Sequence, residues 1–316
     1  MANVNAITKF FNCPNYVGEL FLIGMNMTPF LNRIGGLEGT NAKLAKSWQF
    51  PTAVPWALEA AAQPAITEDT SLTAPTPWTY VRGQDTNVCQ IFHKAVDITY
   101  AKKSDWSTLT GLANLGDPNA VTDELSFQKM ANLKQIAIDA EYSFLNGAYN
   151  LAAASNQANK TRGIITAMTT NTEAGGAAQL TTTMVDNLLR TMATNGAVFG
   201  NVYAFCGAYQ KQKLTKIYGY EPESRNEAGL NITSIETDFC MLNVVWAPQV
   251  PAATLPIIDI SVVSPVFLPV PDKGLLFYEE LSKTGADDKG QIYGQMGIDY
   301  GPEEYHGKIT ALATAP

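Results

Sequence analysis

The feature that most constrains this fold is a helical pattern of unusual length, over residues 122–150. Thr122 followed by Asp123 and Glu124 is typical of a helix N-terminus, and Gly147 marks the fraying end. At 1.5 Å per residue the pattern predicts a rod on the order of 40 Å long. Its apolar residues form two adjacent stripes, the first Met130, Leu133, Ala137, Ala140, Phe144 and Ala148, the second Phe127, Ala131, Ile138, Tyr142 and Leu145. Such a helix must be covered on more than one side, so we predict the spine of a large body.

Composition limits the classes of protein that this chain can belong to. Its 316 residues predict two domains, or one large domain with excursions, and 46% hydrophobic residues exclude global disorder. Only 16% of the residues are charged, which favours a neutral surface that copies of the chain can approach. The net charge of −8 argues against binding of nucleic acid through phosphate contacts, which need clustered Lys and Arg.

The sequence also indicates where the protein folds. We find no secretory leader, so we do not expect secretion. Several prolines and Asp259 interrupt the most hydrophobic stretch, 242–270, so we do not expect a membrane span. The cysteines are far apart, which predicts free, mostly buried thiols in a reducing compartment: Cys13, Cys89, Cys206 and Cys240.

The rest of the chain predicts an α+β fold with non-consecutive strands. Strands at 48–54 and 88–100 flank an excursion rich in Ala, Thr and Pro, which indicates an elongated hairpin. A second helix is predicted over 182–194, capped by Thr181. We further predict a turn into a short strand at 161–165 and a turn at 287–290, with strands at 202–205, 241–246, 291–297 and 305–313.

No catalytic, cofactor-binding or metal-binding constellation emerges from the sequence. His93 and His306 lie far apart and outside any metal-ligand spacing, so we interpret both as structural or surface residues. Adjacent carboxylates such as Glu303 and Glu304 would point to opposite faces of a strand. The glycine-rich run 35–39 lacks the lysine of a phosphate loop and is interpreted as a hinge.

The first hundred residues are predicted to be ordered by neighbouring subunits. Residues 1 to about 45 cannot close a core, and ordering them costs about 1–2 kcal/mol per residue in backbone entropy. Three of the five tryptophans lie in the hairpin, where contact with another chain is a stronger explanation than stacking on a sugar or base. The candidate interface residues are Phe10, Phe11, Trp48, Trp56 and Trp78.

Several short motifs, in this order, resemble the major capsid proteins of tailed bacteriophages, with the Hong Kong 97-type capsid fold. The resemblance runs from about Tyr16 to Ala311. The motifs are Ser47-Trp48-Gln49-Phe50, Asn87-Val88-Cys89-Gln90-Ile91-Phe92, Thr161-Arg162-Gly163-Ile164, Glu236-Thr237-Asp238-Phe239, Glu280-Leu281-Ser282-Lys283-Thr284-Gly285 and His306-Gly307-Lys308-Ile309.

The resemblance implies a division of the chain into five parts. They are an N-terminal arm (1–46), an extended loop hairpin lying on a neighbour (47–100), a peripheral domain with the spine helix (101–179), an axial domain (180–270) and peripheral return strands (271–316). The family's lysine–asparagine cross-link is not carried over, because nothing in this sequence identifies its residues.

The implied function is a non-enzymatic shell protein that assembles with itself into pentamers and hexamers of an icosahedral head. Such a head would enclose double-stranded DNA without sequence-specific binding. Implied partners are the portal and scaffold or decoration proteins, with no membrane, no cofactor, synthesis in the host cytoplasm and a final place in the virion. Two alternatives stay open: a tail-tube or decoration protein, and a carbohydrate-active hydrolase that uses scattered carboxylates and tryptophans.

Overall fold

The computed structural model describes residues 28–35, 41–56, 58–104, 124–219 and 233–315. Phe10, Phe11, Cys13 and the predicted helix cap Thr122 lie outside the described residues. The helices are α1 (Pro29–Arg33), α2 (Glu68–Ser71), α3 (Tyr100–Ser104), α4 (Glu124–Asn146), α5 (Ile164–Ala167), α6 (Thr182–Thr194) and α7 (Ala208–Tyr218). The strands are β1 (Lys43–Leu44), β2 (Gln49–Ala53), β3 (Asp85–Val88), β4 (Gln90–Thr99), β5 (Thr172–Ala174), β6 (Val202–Cys206), β7 (Ser234–Glu236), β8 (Met241–Trp246), β9 (Leu255–Asp259), β10 (Ser264–Phe267), β11 (Leu276–Glu280), β12 (Asp287–Asp299) and β13 (Gly307–Thr310).

The described strands form three sheets of mixed connectivity. The first has the order β1-β10-β12-β11, with β4 also paired to the long strand β12. The second has the order β5-β13-β9-β6-β8-β7. The third is the antiparallel pair of β2 and β3. Because sequence neighbours are often not sheet neighbours, the α+β architecture predicted from the sequence is confirmed.

The spine helix is confirmed as α4, over 124–146 of the predicted 122–150. It buries Ile136, Ala140, Phe144 and Leu145 in a core shared with α1, α5 and the first sheet. That core also contains Phe30, Phe205, Phe267, Ile292 and Ile298. The helix therefore holds the first sheet on one side and the α1 segment on another.

Part of the predicted apolar circumference of α4 is not covered within the chain. Met130 is 59% exposed, Leu133 42% and Tyr142 54%. The prediction that these residues are buried is wrong for the isolated chain, because the first sheet and α1 pack against other faces of the helix. An uncovered apolar strip of this kind marks a contact surface.

A second core lies between the six-stranded sheet and the helices α6 and α7. It includes Leu188, Leu189 and Met192 of α6 together with Leu255, Ile257 and Ile309 from β9 and β13. The predicted helix 182–194 is confirmed, and the Thr181 hydroxyl accepts a hydrogen bond from the Met184 N–H at 3.4 Å. β12 thus belongs to the sheet beside α4, and β13 belongs to the sheet beside α6. The five-part division of the chain stays a prediction.

Two local predictions are wrong, and tertiary contacts explain both. Residues 164–167 form the one-turn helix α5 and not a strand, because Ile164, Ile165 and Ala167 are buried against the end of α4. Residues 287–290 start β12 and do not form a turn. The Lys289 ammonium lies 3.0 Å from Asp287 and 3.9 Å from Asp97, which offsets the acidic charge along this strand pair.

The described cysteines are all free thiols, and they differ in burial. Cys89 and Cys206 are free and buried, whereas Cys240 is free and only partly buried. Within the described residues, none of the helices combines the length and the apolar character needed to cross a bilayer.

Candidate subunit interface

The hairpin of β2 and β3 is fixed to the body by a small apolar cluster at its root. Phe50, Cys89, Ala45 and Val266 are buried together, and Trp48 packs against them. The Cys89 N–H donates to the Trp48 carbonyl at 2.8 Å, which closes the hairpin at this end. Trp48 is therefore a half-buried residue of the hairpin root.

Asn87 supplies the polar part of the same anchor. Its Nδ2 donates to the carbonyls of Ile298 (2.8 Å) and Arg162 (3.1 Å), and its Oδ1 accepts from the Arg162 N–H (2.7 Å) and the Val88 N–H (2.9 Å). One buried side chain thus joins β3, β12 and the segment after α4. These bonds hold the hairpin root rigidly, since buried polar groups left unpaired are costly.

Beyond its root, the hairpin becomes a loop in which every described residue from 54 to 85 is exposed. The Gly83 N–H donates to the Pro55 carbonyl at 2.8 Å, so the two arms stay together as they leave the body. Near the midpoint, the one-turn helix α2 carries a capping box between Thr67 and Thr70. The loop has local order and contributes no residue to either core.

The loop exposes large apolar side chains. Trp56 is 58% exposed and Trp78 68%, and the Trp56 ring packs edge-on against Tyr80 with 6.2 Å between ring centroids. The others are Val54, Leu58, Ile66, Leu72 and Val81. A projection that is apolar and uncovered along its length is typical of a surface that another protein covers.

The structure separates the predicted interface residues. Trp56 and Trp78 lie in the exposed loop, whereas Trp48 lies at the root. Sequence reasoning missed Tyr80, although the turn residues Pro55 and Gly83 indicate which residues face each other across the hairpin. Phe10 and Phe11 lie outside the described residues, so their interface role stays a prediction.

A second exposed surface follows the outer face of α4. We define the spine-helix stripe as Met130, Leu133, Lys134, Ile138 and Tyr142. Met130, Lys134, Ile138 and Tyr142 recur every four residues, Leu133 lies beside Lys134, and Ile138 is half-buried. Its end opens into a groove of about 510 Å³ between α4 and β4. Ile91, which is 48% exposed, lines the groove, and an ion pair of Lys94 and Asp139 (2.8 Å) stands beside it.

Glu141 is a charged residue that α4 buries completely. Its Oε2 accepts a hydrogen bond from the Leu31 N–H of α1 at 3.3 Å, while its Oε1 has no hydrogen-bond partner in the part of the chain that the structure describes. Burial raises the pKa of this carboxyl to about 7, against the smaller lowering effect of the backbone N–H groups of Leu31 and Phe30. Glu141 therefore links α1 to the spine helix. The free-energy cost of burying its carboxyl depends on whether the carboxyl is protonated.

The two histidines have structural roles in this fold. His306 is fully buried, its Nδ1 lies 3.2 Å from the Asp259 N–H and its Nε2 lies 2.7 Å from the Tyr300 carbonyl. Burial lowers the pKa of His306 to about 4, so the neutral ring is the form that the fold favours. His93 is exposed on β4, where its Nε2 lies 3.0 Å from Gln291 Oε1.

Of the adjacent carboxylates Glu303 and Glu304, the first is hydrogen-bonded within the fold. Glu303 accepts hydrogen bonds from the backbone N–H and the hydroxyl of both Thr169 and Thr170. Burial raises the pKa of Glu303, but these bonds, led by the Thr170 hydroxyl, outweigh it and lower the pKa overall. In the described part of the chain, no group of three or more His, Cys, Asp or Glu is placed to hold a metal ion.

Comparison with known proteins gives one family and a consistent set of structural neighbours. A family model described as SU10 major capsid protein matches residues 3–313. No curated protein sequence matches the chain significantly.

Three solved structures illustrate the similarity of fold. The capsid subunit of cyanophage A-1(L) is 12% identical with a TM-score of 0.67, covering 95% of this chain and 96% of that one. The capsid of the native GTA particle is 11% identical with a TM-score of 0.59, covering 94% of each chain. The SrpI encapsulin of Synechococcus elongatus PCC 7942 is 10% identical with a TM-score of 0.57, covering 95% and 92%.

Proposed function

Because this chain belongs to the SU10 major capsid protein family, we propose that its copies assemble as pentamers and hexamers into the icosahedral head of a tailed phage. The chain is a shell protein and a virion component, with a fold that resembles phage capsid proteins of the Hong Kong 97 type. We propose further that the head encloses double-stranded DNA, and that the subunit is made in the host cytoplasm.

The observation that carries this proposal is the exposed loop, residues 54–85. An isolated soluble subunit gains nothing from a long projection that holds Trp56, Trp78 and Tyr80 in water. Burying such aromatic residues stabilises an interface by about 25 cal/mol per Å² of apolar area. A neighbouring copy that covers the loop would turn an unfavourable exposed surface into the main contact of the shell.

The loop hairpin (47–100) is assigned to contact with a neighbour, and the arm (1–46) with Phe10 and Phe11 to the same role. We propose that the core around α4 belongs mainly to the peripheral domain, and that the sheet packed against α6 and α7 belongs mainly to the axial domain. Trp48 supports the hairpin from its root, while Trp56 and Trp78 are proposed to make the contact itself.

The electrostatics of the subunit fit a container for nucleic acid. A net charge of −8 disfavours tight binding of packaged DNA to the inner wall. We therefore propose that the subunit encloses DNA without reading its sequence and has no catalytic activity. Portal, scaffold and decoration proteins are the proposed partners beyond the chain itself.

Electron microscopy of the purified protein under assembly conditions tests this proposal. Closed shells are expected for the wild type, and Trp56→Ala with Trp78→Ala should shift the protein to small soluble species. Leu151→Ala removes an exposed apolar side chain outside the loop and should leave shells intact. Rings or fibres would indicate a tail-tube or decoration protein, and small species alone from the wild type would contradict a shell function.

A further inference from the structure

We propose that Asn87 is a positioning residue for assembly, because it directs the hairpin out of the first sheet and thereby sets the direction in which the loop leaves the body. This inference rests on the proposed function, since the direction of the loop decides where a neighbouring copy meets it. The contacts that fix this direction lie inside one subunit and exist before any neighbour is present.

The ladder between β4 and β12 ends where the hairpin begins. Its last pair is Gln90 with Met296. Two residues further along β12, the Ile298 carbonyl accepts a hydrogen bond from Asn87 Nδ2 at 2.8 Å, and the Ile298 N–H donates to the Thr161 hydroxyl at 3.4 Å. These two side chains take the place of a paired strand, so both backbone groups of Ile298 are satisfied without β3. β3 therefore leaves the first sheet and pairs with β2.

The Asn87 amide acts as one more peptide group at this edge of β12. Its Nδ2 also donates to the Arg162 carbonyl at 3.1 Å, and its Oδ1 accepts from the Arg162 N–H at 2.7 Å. A carboxamide carries the same donor and acceptor as the backbone, so it can exchange both bonds with a peptide segment as a strand would. Because the side chain is fully buried, an unpaired donor or acceptor here is costly, which fixes the amide in this position.

Gly297 lets the hairpin lie directly on β12. A Cβ at this residue would lie 2.8 Å from the Val88 carbonyl oxygen and 3.2 Å from the Phe50 ring. The first distance is shorter than van der Waals contact allows, and the oxygen belongs to the backbone, so a side chain would push β3 away. Asn87 and Gly297 are therefore two independent contacts that hold the same strand against β12.

The length of the loop amplifies any change of angle at its root. Every described residue from 54 to 85 is exposed, so the direction of the loop depends on the root. From residue 54 to the start of α2 at Glu68, an extended chain spans at most about 50 Å. A rotation of about 5° at the root would then move the loop tip by about 4 Å. Side chains touch only when their heavy atoms lie within about 4.5 Å, so such a shift removes contacts with a neighbour.

Distance measurements in the unassembled subunit test the direction of the loop. Spin labels on Leu72→Cys in the loop and Leu151→Cys on the body occupy exposed positions, and double electron–electron resonance gives the distance between them. The background lacks Cys13 and Cys240, whereas the buried Cys89 and Cys206 stay in place.

Two variants should move the loop. Asn87→Asp removes both Nδ2 donations and keeps the acceptor contacts, and Gly297→Ala adds the Cβ that meets β3. Each should shift the mean label distance by about 4 Å or more, or broaden its distribution about twofold. Val185→Ala lowers stability in the second core, away from the root, and is the matched control, with the wild-type distribution. Wild-type distributions in both root variants, or the same change in Val185→Ala, would overturn the positioning role.

Electron microscopy of assembled particles connects the direction of the loop to assembly. Asn87→Asp and Gly297→Ala should give particles whose diameters spread about twice as widely as those of the wild type, because neighbours meet a displaced loop. Val185→Ala should form fewer particles, of wild-type diameter. Root variants that assemble into uniform particles of wild-type diameter would overturn the proposal, even at reduced yield. A wild type that forms no shells would refute the proposed function, and the distances in the unassembled subunit would still decide the positioning role.

Discussion

Replacing Glu141 by glutamine tests the physical account of how α1 is held against the spine. The carboxyl is buried, its Oε2 accepts a hydrogen bond from the Leu31 N–H, and its Oε1 has no hydrogen-bond partner among the described residues. The substitution keeps the shape and an oxygen acceptor but removes the ionisation. Any difference that depends on pH between the two proteins therefore reports the burial of the charge.

The magnitude follows from the pKa of Glu141, which burial raises from its ordinary value of 4.5 to about 7. Because the folded-state pKa is raised, the native state binds the proton more tightly than the unfolded chain does. The resulting stabilisation is fully present below about pH 4.5 and is lost as the pH rises through about 7. One pKa unit corresponds to about 1.4 kcal/mol, so the full loss is about 3 kcal/mol.

Urea unfolding of the unassembled subunit at about pH 5 and about pH 8 measures this effect. The free energy of unfolding of Glu141→Gln, relative to the wild type, should rise by about 2–3 kcal/mol from the lower to the higher pH. Glu280→Gln removes the same charge from the exposed edge strand β11 and should change the unfolding free energy by less than about 0.5 kcal/mol at either pH. A difference between Glu141→Gln and the wild type that stays constant across this pH range would refute the reasoning.

Three further outcomes follow from the anchors of the fold. Asn87→Ala should lower the free energy of unfolding by about 2–4 kcal/mol in urea titrations, because its removal leaves buried backbone groups of three segments unpaired. Gly147→Ala should lower the melting temperature, because a Cβ would overlap the carbonyl oxygens of Ser143 in the last turn of α4 and of Thr161 in the segment after it. Gly207→Ala, where the nearest atom is 3.6 Å away, should not lower it. In a variant without Cys13, alkylation followed by mass spectrometry should modify Cys240 well before Cys206, because Cys206 is fully buried and Cys240 only partly buried. Burial raises the pKa of the Cys206 thiol to about 12, and it also raises the pKa of Cys240.

Helix caps, turn residues and apolar periodicity in the sequence predict those elements of the fold that depend on neighbouring residues. The helix α6 has its predicted bounds, because Thr181 caps its start and Asn195-Gly196 ends it. The spine helix is confirmed because its apolar period is long and uninterrupted. The predicted strands 48–54 and 88–100 form as β2 and β4, but β2 pairs with β3 and β4 pairs with β12, so the second arm of the hairpin is β3.

The wrong predictions lie where distant segments meet. The helix α5 forms because its apolar residues close over the end of α4, where Gly147 and Gly163 let two backbones touch. The sequence alone does not indicate that these two glycines contact each other. In the sequence, Glu141 is one polar residue among several in a helix. Its role follows only from the structure, in which the Leu31 N–H of α1 donates a hydrogen bond to it. The exposure of Met130, Leu133 and Tyr142 is missed because the period of a helix does not say which molecule covers each face.

The strand order has a consequence for biosynthesis. β12 occupies the interior of the first sheet, and β13 lies between β5 and β9 in the second. A ribosome makes both strands only after nearly all of their neighbours, so a nascent chain carries two sheets that each lack an inner member. Both cores can close only when residues 287–310 have emerged. Until then the nascent chain exposes apolar surface and unpaired strand edges that favour premature association.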